Sequence, residues 1–350
     1  MYLSSQTLRI IDANLNRIGE SLRLLEDVAR LLLNDAILSK QLKAMRHELA
    51  PREPSAKEQL LQARNSEGDI GMDIEVSQQT KERELPATII ANARRAQESL
   101  RVIEELAKIP DIDLKSDRFK RARFNLYDIE KALLSRVLRK DKKERISGLY
   151  AIIDTQYLES RRHDEVATQI LEGGARLIQL RDKHMSKKEL LPIARQLKEL
   201  CASYDALFIL NDYLDIALAV DADGLHIGQD DLPLKTARKL LPIGKIIGYS
   251  VDNVPQAVAA EADGADYIAA GAIYPTQSRA ETEAVGIDVL KAIKKETSLP
   301  LVAIGGINLD NAEEVLAAGA DSIAVISAIM QAKSPGEATR QLIDKIGGQN

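Results

Sequence analysis

Residues 176–183 read RLIQLRDK, and residues 206–231 read ALFILNDYLDIALAVDADGLHIGQDD. Three short apolar runs in these segments each stop at charged or amide side chains. Leu177 to Leu180 delivers Gln179, Arg181, Asp182 and Lys183. Leu207 to Leu210 ends at Asn211 and Asp212, and the run around Leu225 and Ile227 ends at Gly228-Gln229-Asp230-Asp231. Each has the form of a buried β-strand. Strands alternating with helices build a parallel sheet, and in a closed (β/α)8 barrel the C-terminal strand ends carry the active site. Two carboxylates and two cations at neighbouring strand ends suit a diphosphate held through Mg²⁺.

The same rhythm extends in both directions from this stretch. Expected strands are Leu149–Asp154, Arg176–Leu180, Leu207–Asn211, Gly224–Ile227, Ile246–Tyr249, Tyr267–Ala270, Leu301–Ile304 and Ser322–Val325. Helical patterns lie between them, and one more follows, from Gly336 to Ile346. Eight evenly spaced βα units point to an α/β fold, a (β/α)8 TIM barrel over 148–350, with a doubly wound open sheet as the alternative.

Residues 1–140 read differently, as an all-helical domain. Leu15, Ile18, Leu22, Leu25, Val28 and Leu32 recur at helical spacing. ANLNRIGESLRLLEDVAR (13–30) returns as ANARRAQESLRVIEELAK (91–108), and Ser39, Leu42, Lys43 and Arg46 return as Ser116, Phe119, Lys120 and Arg123. The region is therefore expected to be a duplicated helix pair packed with pseudo-twofold symmetry. The repeated ESLR places Glu and Arg three apart on one helix face, where they can pair; a helix–helix salt bridge is the plainer reading, and a ligand-binding face at the pseudo-twofold is the alternative. Between the copies, 51–86 lacks a sustained period, and its ARNSEGDIG segment (Arg64, Ser66, Glu67, Asp69) reads as a ligand loop or a solvated connector. Residues 141–147 are expected to link the two domains.

Bulk composition narrows the partners. The formal net charge of −5 gives no general affinity for nucleic acid or a membrane surface. Residues 1–145 carry 28 Lys+Arg against 24 Asp+Glu, and the remainder 20 against 29. A single cysteine, Cys201, rules out an intramolecular disulfide and a Cys-cluster metal site. MYLSSQTLRIID has no secretory pattern, and no apolar run approaches a membrane span, so a cytoplasmic protein is expected. Homo-oligomerisation is left open.

Several strand ends carry chemistry. Arg181 and Lys183 lie on the same side of an extended chain, and a guanidinium fork beside an ammonium suits a phosphate; a salt bridge to Asp182 or Asp212 is the plainer reading. Asp212 and Asp231 suit Mg²⁺, which rarely takes a full protein cage, and Asp230 competes for the same role. Ser250 ends the fifth strand. Thr276, Ser278 and Arg279 form a hydroxyl-rich turn with a cation. AIGGIN and AVISAI, after the seventh strand and at the eighth, match the recurrent barrel phosphate site, with Gly306, Ile326 and Ser327 at its centre. His226 reads as a core histidine, and His163 and His184 as solvent-facing. Two phosphate sites and no nucleophile–base pair suit a transfer in which pyrophosphate departs.

QLRDK (179–183), ILNDYLDIAL (209–218), ADGLHIGQDDLP (222–233), GADYIAAGAIYPTQSR (264–279), LPLVAIGGIN (299–308) and AVISAI (324–329) together resemble the thiamine-phosphate synthase family. That family joins 4-amino-5-hydroxymethyl-2-methylpyrimidine diphosphate to a thiazole phosphate and releases pyrophosphate. The resemblance implies that Gln179, Leu180, Arg181, Asp182, Lys183, Asn211, Ser250 and Arg279 hold the pyrimidine diphosphate. Arg181, Lys183, Ser250 and Arg279 would be its catalytic members. Asp212 and Asp231 would bind Mg²⁺, and Thr276, Gln277, Ser278, Gly306, Ile326 and Ser327 would hold the thiazole phosphate. It also implies a dissociative mechanism, in which the thiazole nitrogen captures a pyrimidine carbocation. The family's usual T-x-T-K stands here as Thr276-Gln277-Ser278-Arg279, which keeps the hydroxyl and the charge but alters the cation's geometry. The helical extension resembles the domain fused ahead of the synthase in cyanobacterial-type proteins, linked by association to hydroxymethylpyrimidine phosphate metabolism.

Three other functions compete. A thiazole tautomerase of the same barrel family would lack the diphosphate site. A phosphate-binding sensor would use the helical domain as its output. A bifunctional protein would act on hydroxymethylpyrimidine phosphate through that domain.

Overall fold

The computed structural model describes residues 4–51, 53–65, 84–110, 112, 114–276 and 284–347. The chain forms two compact units, Met1–Leu138 and Arg139–Asn350.

The first unit is helical. Its elements are α1 (Ser5–Asp27), continued by a π-helical turn at Val28–Leu32, α2 (Ala36–Leu49), α3 (Pro54–Ala63), α4 (Leu85–Leu106) and α5 (Ser116–Glu144), whose last turns belong to the second unit. α1 starts where the Ser4 hydroxyl accepts from the Thr7 amide, and α2 where the Asp35 carboxylate accepts from Ile37 and Leu38. Ile18, Leu22 and Leu25 of α1 are buried in one core with Ile89, Leu100 and Ile103 of α4 and with Leu42, Phe119 and Leu126. Burying each such side chain stabilises by about 1.5–3 kcal/mol.

The ESLR pairs expected within one helix do not form. Arg23 reaches forward to Asp27 at 3.4 Å, and Arg101 to Glu104 at 2.7 Å and Glu105 at 2.6 Å. These carboxylates lie on the following turn, within reach of the same Arg. The duplicated ion pairs are interhelical instead: Glu26 with Arg46 at 3.0 Å, and Glu104 with Arg123 at 2.9 Å. Both glutamates are buried, so each requires its partner.

In the second unit eight parallel strands close in sequence order: β1 (Gly148–Asp154), β2 (Leu177–Arg181), β3 (Leu207–Asn211), β4 (Gly224–Ile227), β5 (Ile246–Val251), β6 (Tyr267–Ala270), β7 (Leu301–Ile304) and β8 (Ser322–Val325). β8 pairs back on β1, with Leu149 opposite Ile323, which excludes the doubly wound alternative. Alternation along each strand separates two cores. Ile178, Leu180, Phe208 and Leu225 face the helix layer, whereas Tyr150, Ile152, Leu177, Ile209 and Val302 fill the barrel. Cys201 is buried in the outer layer, where desolvation pushes its thiol up to about 12, as befits a small core hydrophobe. The segment expected as a linker, 141–147, is helical through Glu144, because Lys142 donates to the Gly244 carbonyl at 3.0 Å and so stays within the barrel unit.

Candidate active site at the C-terminal mouth of the barrel

A cavity of about 210 Å³ opens at the C-terminal strand ends. Strand register delivers its residues. Gln179 and Arg181 alternate inward on β2, with Arg181 opposite Asp154, and Asn211 lies opposite His226 on the next pair. Around the same cavity stand Lys183, Asp212, Asp231, Ser250 and Thr276. Gly306, Ile326 and Ser327 complete the wall on the β7–β8 side.

The two carboxylates are linked. Burial raises the proton affinity of Asp212, reinforced by Asp231 and opposed by Lys183, whose ammonium donates to Asp212 Oδ2. Burial opposes ionisation of Asp231 too, but hydrogen bonds from Asp212 and the Gly228 amide outweigh it and hold Asp231 below the usual carboxylate range. The Gly228 amide donates to Asp231 Oδ2 at 2.7 Å, whereas Asp230 is exposed and does not line the cavity. Asp212 itself has a left-handed backbone, φ 61°, a conformation L-residues seldom adopt outside constrained sites.

Arg181 does not pair with either acid expected for it. Its Nη1 donates to Asp154 Oδ2, a carboxylate only 2% exposed at the end of β1. Across the barrel interior runs a hydrogen-bonded chain of side chains. Gln179 Nε2 donates to Tyr150 Oη at 2.8 Å, Tyr150 Oη meets Tyr267 Oη at 2.9 Å, and Tyr267 Oη meets His226 Nδ1 at 3.2 Å. His226 Nε2 then meets Ser250 Oγ at 3.0 Å. Complete burial pushes both tyrosine hydroxyls well above their ordinary pKa, so they remain neutral donors and acceptors. The Tyr267 ring fits because position 248 is glycine: a Cβ there would lie 2.0 Å from the ring.

On the β7 side, Gly305 (φ 99°) and Gly306 (φ 68°) take left-handed backbone against the β6 loop. A Cβ on Gly306 would meet Tyr274 Cβ at 2.7 Å and the Pro275 carbonyl at 2.9 Å. Only glycine satisfies both the dihedral and the close approach.

Not every expected residue turns to the cavity. The Leu180 side chain is buried in the helix-facing core because its strand alternates. Asp182 is buried and accepts from the His184 and Met185 amides at 2.8 and 2.6 Å, which shapes the loop after β2. Gln277, Ser278 and Arg279 lie outside the described residues, as do Ser66, Glu67 and Asp69. His163, expected at the surface, is half-buried at a helix start, because its Nε2 meets Thr155 Oγ1 at 3.1 Å. Tyr150, Tyr267 and Asp154 were not anticipated. Their signal was present in strand alternation, which puts them on the inward face with Gln179 and His226.

A closed barrel with a glycine-built cradle at β7–β8, beside linked carboxylates and cations, defines an enzyme that handles phosphorylated small molecules. Residues 149–329 match the thiamine monophosphate synthase family, and residues 9–132 match the ThiD2 family. A thiamine-phosphate synthase from Thermosynechococcus vestitus is 39% identical over 97% of this chain and 94% of its own length. One from Methanospirillum hungatei is 50% identical over 198 residues, 56% of this chain and 96% of its own. The structure of a thiamine phosphate pyrophosphorylase from Pyrococcus furiosus superposes with a TM-score of 0.55 and 41% identity, covering 59% of this chain and 98% of that one. The chain belongs to the thiamine-phosphate synthase family, and its activity is that family's transferase reaction, which makes thiamine phosphate.

Proposed function

We propose that the barrel mouth holds the two substrates side by side. Arg181, Lys183 and Asn211, with the expected Arg279, take the diphosphate of the pyrimidine substrate, and Gln179 and Ser250 take its heterocycle. Thr276, Gly306, Ile326 and Ser327, with the expected Gln277 and Ser278, take the thiazole phosphate. Leu180 and Asp182 act through main chain and loop shape, since their side chains face elsewhere. The single observation that carries this reading is the convergence of Lys183, Asp212 and Asp231 in one cavity with the glycine cradle.

Asp212 and Asp231 fit Mg²⁺. Two adjoining carboxylates, one with raised proton affinity, are relieved by a cation. Among the described residues no group of three or more His, Cys, Asp or Glu converges. A pair suffices for Mg²⁺, which completes its shell with water and phosphate oxygens. When bound, the ion would neutralise charge developing on departing pyrophosphate. The chain's own contribution is positional: Arg181 and Lys183 meet the leaving phosphates, while Gln179 and Ser250 fix the ring for attack by the thiazole nitrogen. Ile152, Ile209, Val302 and Ala324 give the barrel interior apolar surface, which limits water access to a cationic intermediate. A cytoplasmic setting suits a chain with one buried, unoxidised thiol.

The test is pyrophosphate release by the full chain and its Asp212→Ala variant across a Mg²⁺ titration. Loss of the metal-dependent rate is expected; full activity in the variant would remove the metal assignment.

A further inference from the structure

The hydrogen-bonded chain through the barrel has a direction, and one proton per hydroxyl fixes it. The Gln179 amide nitrogen can only donate, so Tyr150 Oη accepts from it at 2.8 Å. Tyr150 must then place its own proton, and among the described residues its acceptor is Tyr267 Oη at 2.9 Å. Tyr267 in turn donates to His226 Nδ1 at 3.2 Å, which leaves Nε2 protonated and donating to Ser250 Oγ at 3.0 Å. Any break in this order strands a proton where neither tyrosine is more than 1% exposed.

The backbone holds the members in place. On β5, Gly248 lies opposite both His226 of β4 and Tyr267 of β6. Its missing side chain lets the Tyr267 ring stack on the His226 ring, with centroids 5.6 Å apart. Stacked and bonded through both nitrogens, the imidazole is held from turning over. Both ends of the chain line the cavity. With its amide nitrogen on Tyr150, Gln179 keeps Oε1 for a ligand, and Oε1 accepts no hydrogen bond from the described residues. Ser250 Oγ accepts from His226, so its own proton is a donor to the cavity. An unengaged glutamine turns over to meet either a donor or an acceptor. Gln179 does so only if every member of the chain reverses with it.

We propose that Tyr150, Tyr267 and His226 are positioning residues that lock Gln179 as an acceptor and Ser250 as a donor, so that the site selects the amino group of the pyrimidine against an oxo group in its place. This rests on the assignment of Gln179 and Ser250 to the heterocycle. The amino group donates to Gln179 Oε1. An oxo group would set a second acceptor against that oxygen, with no proton between them.

Two measurements on the full chain test the lock. In ¹⁵N-histidine-labelled protein, the His226 signals, assigned by their loss in His226→Asn, are expected to show the Nε2–H tautomer. The Nδ1–H tautomer, or a doubly protonated ring, would overturn the proposal. Selectivity is read as the competitive inhibition constant of the 4-oxo pyrimidine diphosphate divided by KM for the amino substrate. A ratio of about a hundred or more is expected in the unaltered protein. Tyr150→Phe, which releases the Gln179 amide, is expected to lower it by about tenfold or more. General loosening would weaken both ligands alike, and an unchanged ratio in the folded variant refutes the lock. Gln179→Ala separates this inference from the reading beneath it. If that variant keeps the ratio, the heterocycle assignment fails and the proposal with it. If it loses the ratio while Tyr150→Phe keeps it, the assignment stands and the proposal alone is overturned. The tautomer, read on the unaltered protein, decides the matter should Tyr150→Phe fail to fold.

Discussion

Replacing Tyr267 with Phe keeps the ring and deletes one oxygen from the middle of the buried chain. That oxygen lies 2.9 Å from Tyr150 Oη and 3.2 Å from His226 Nδ1. Both neighbours are buried, so water does not readily replace the lost bonds. The cost is about 1–3 kcal/mol. For a domain of this size each kcal/mol lowers Tm by about 2–4 °C, so a fall of roughly 2–12 °C is expected. The kinetic effect is more specific. The chain holds Gln179 at one end and Ser250 at the other, both assigned to the pyrimidine. Loosening them should raise KM for the pyrimidine diphosphate about tenfold, equivalent to ~1.4 kcal/mol. KM for the thiazole phosphate should move less than about twofold, since none of the chain's hydrogen bonds runs to the glycine cradle. The assay is steady-state pyrophosphate release with each substrate varied in turn, beside thermal unfolding followed by circular dichroism. An unchanged Tm together with an unchanged KM would refute the reasoning, and so would equal weakening of both substrates.

Gly248→Ala attacks the same ring sterically, because its Cβ would sit 2.0 Å from Tyr267; about 1–3 kcal/mol of overpacking should appear as a lower denaturant midpoint. Arg181→Ala should raise KM for the diphosphate substrate more than for the thiazole phosphate. It should also destabilise the fold by about 3–5 kcal/mol, since it leaves the buried Asp154 carboxylate unpaired; Asp154→Asn in the same background should recover part of that loss in urea unfolding. His163 has its pKa pushed down by burial, against the pull of Asp182 and Asp164. Its neutral form is favoured in the folded protein, so this contribution is complete above about pH 6.5. It is lost as pH falls below that value through the depressed folded pKa, and His163→Gln should flatten the dependence of Tm on pH in that window.

Strand positions were legible because a fully buried parallel strand is a short apolar run with a polar stop. Six of the eight expected runs, from Leu207–Asn211 to Ser322–Val325, start at the residues where the structure starts them, and the other two differ by one residue. Arg181, Lys183, Asp212 and Asp231 were legible for the same reason, as charged residues placed just where apolar runs end. Asp230 and Asp231 were not separable by type, and the turn geometry that exposes one and gives the other the Gly228 amide distinguishes them. The misread ESLR pairs have a similar origin: helical spacing shows which residues are neighbours, but several acids compete for each arginine.

The sequence alone determined the order of the elements, the duplication and the family to which the chain belongs. Each of these is a one-dimensional pattern set by burial and by turn chemistry. Only the tertiary structure decided which polar side chains meet. Gln179, Tyr150, Tyr267, His226 and Ser250 come from five different strands. They touch because closing the barrel brings every second residue onto one crowded axis, where a polar atom without water must find another side chain.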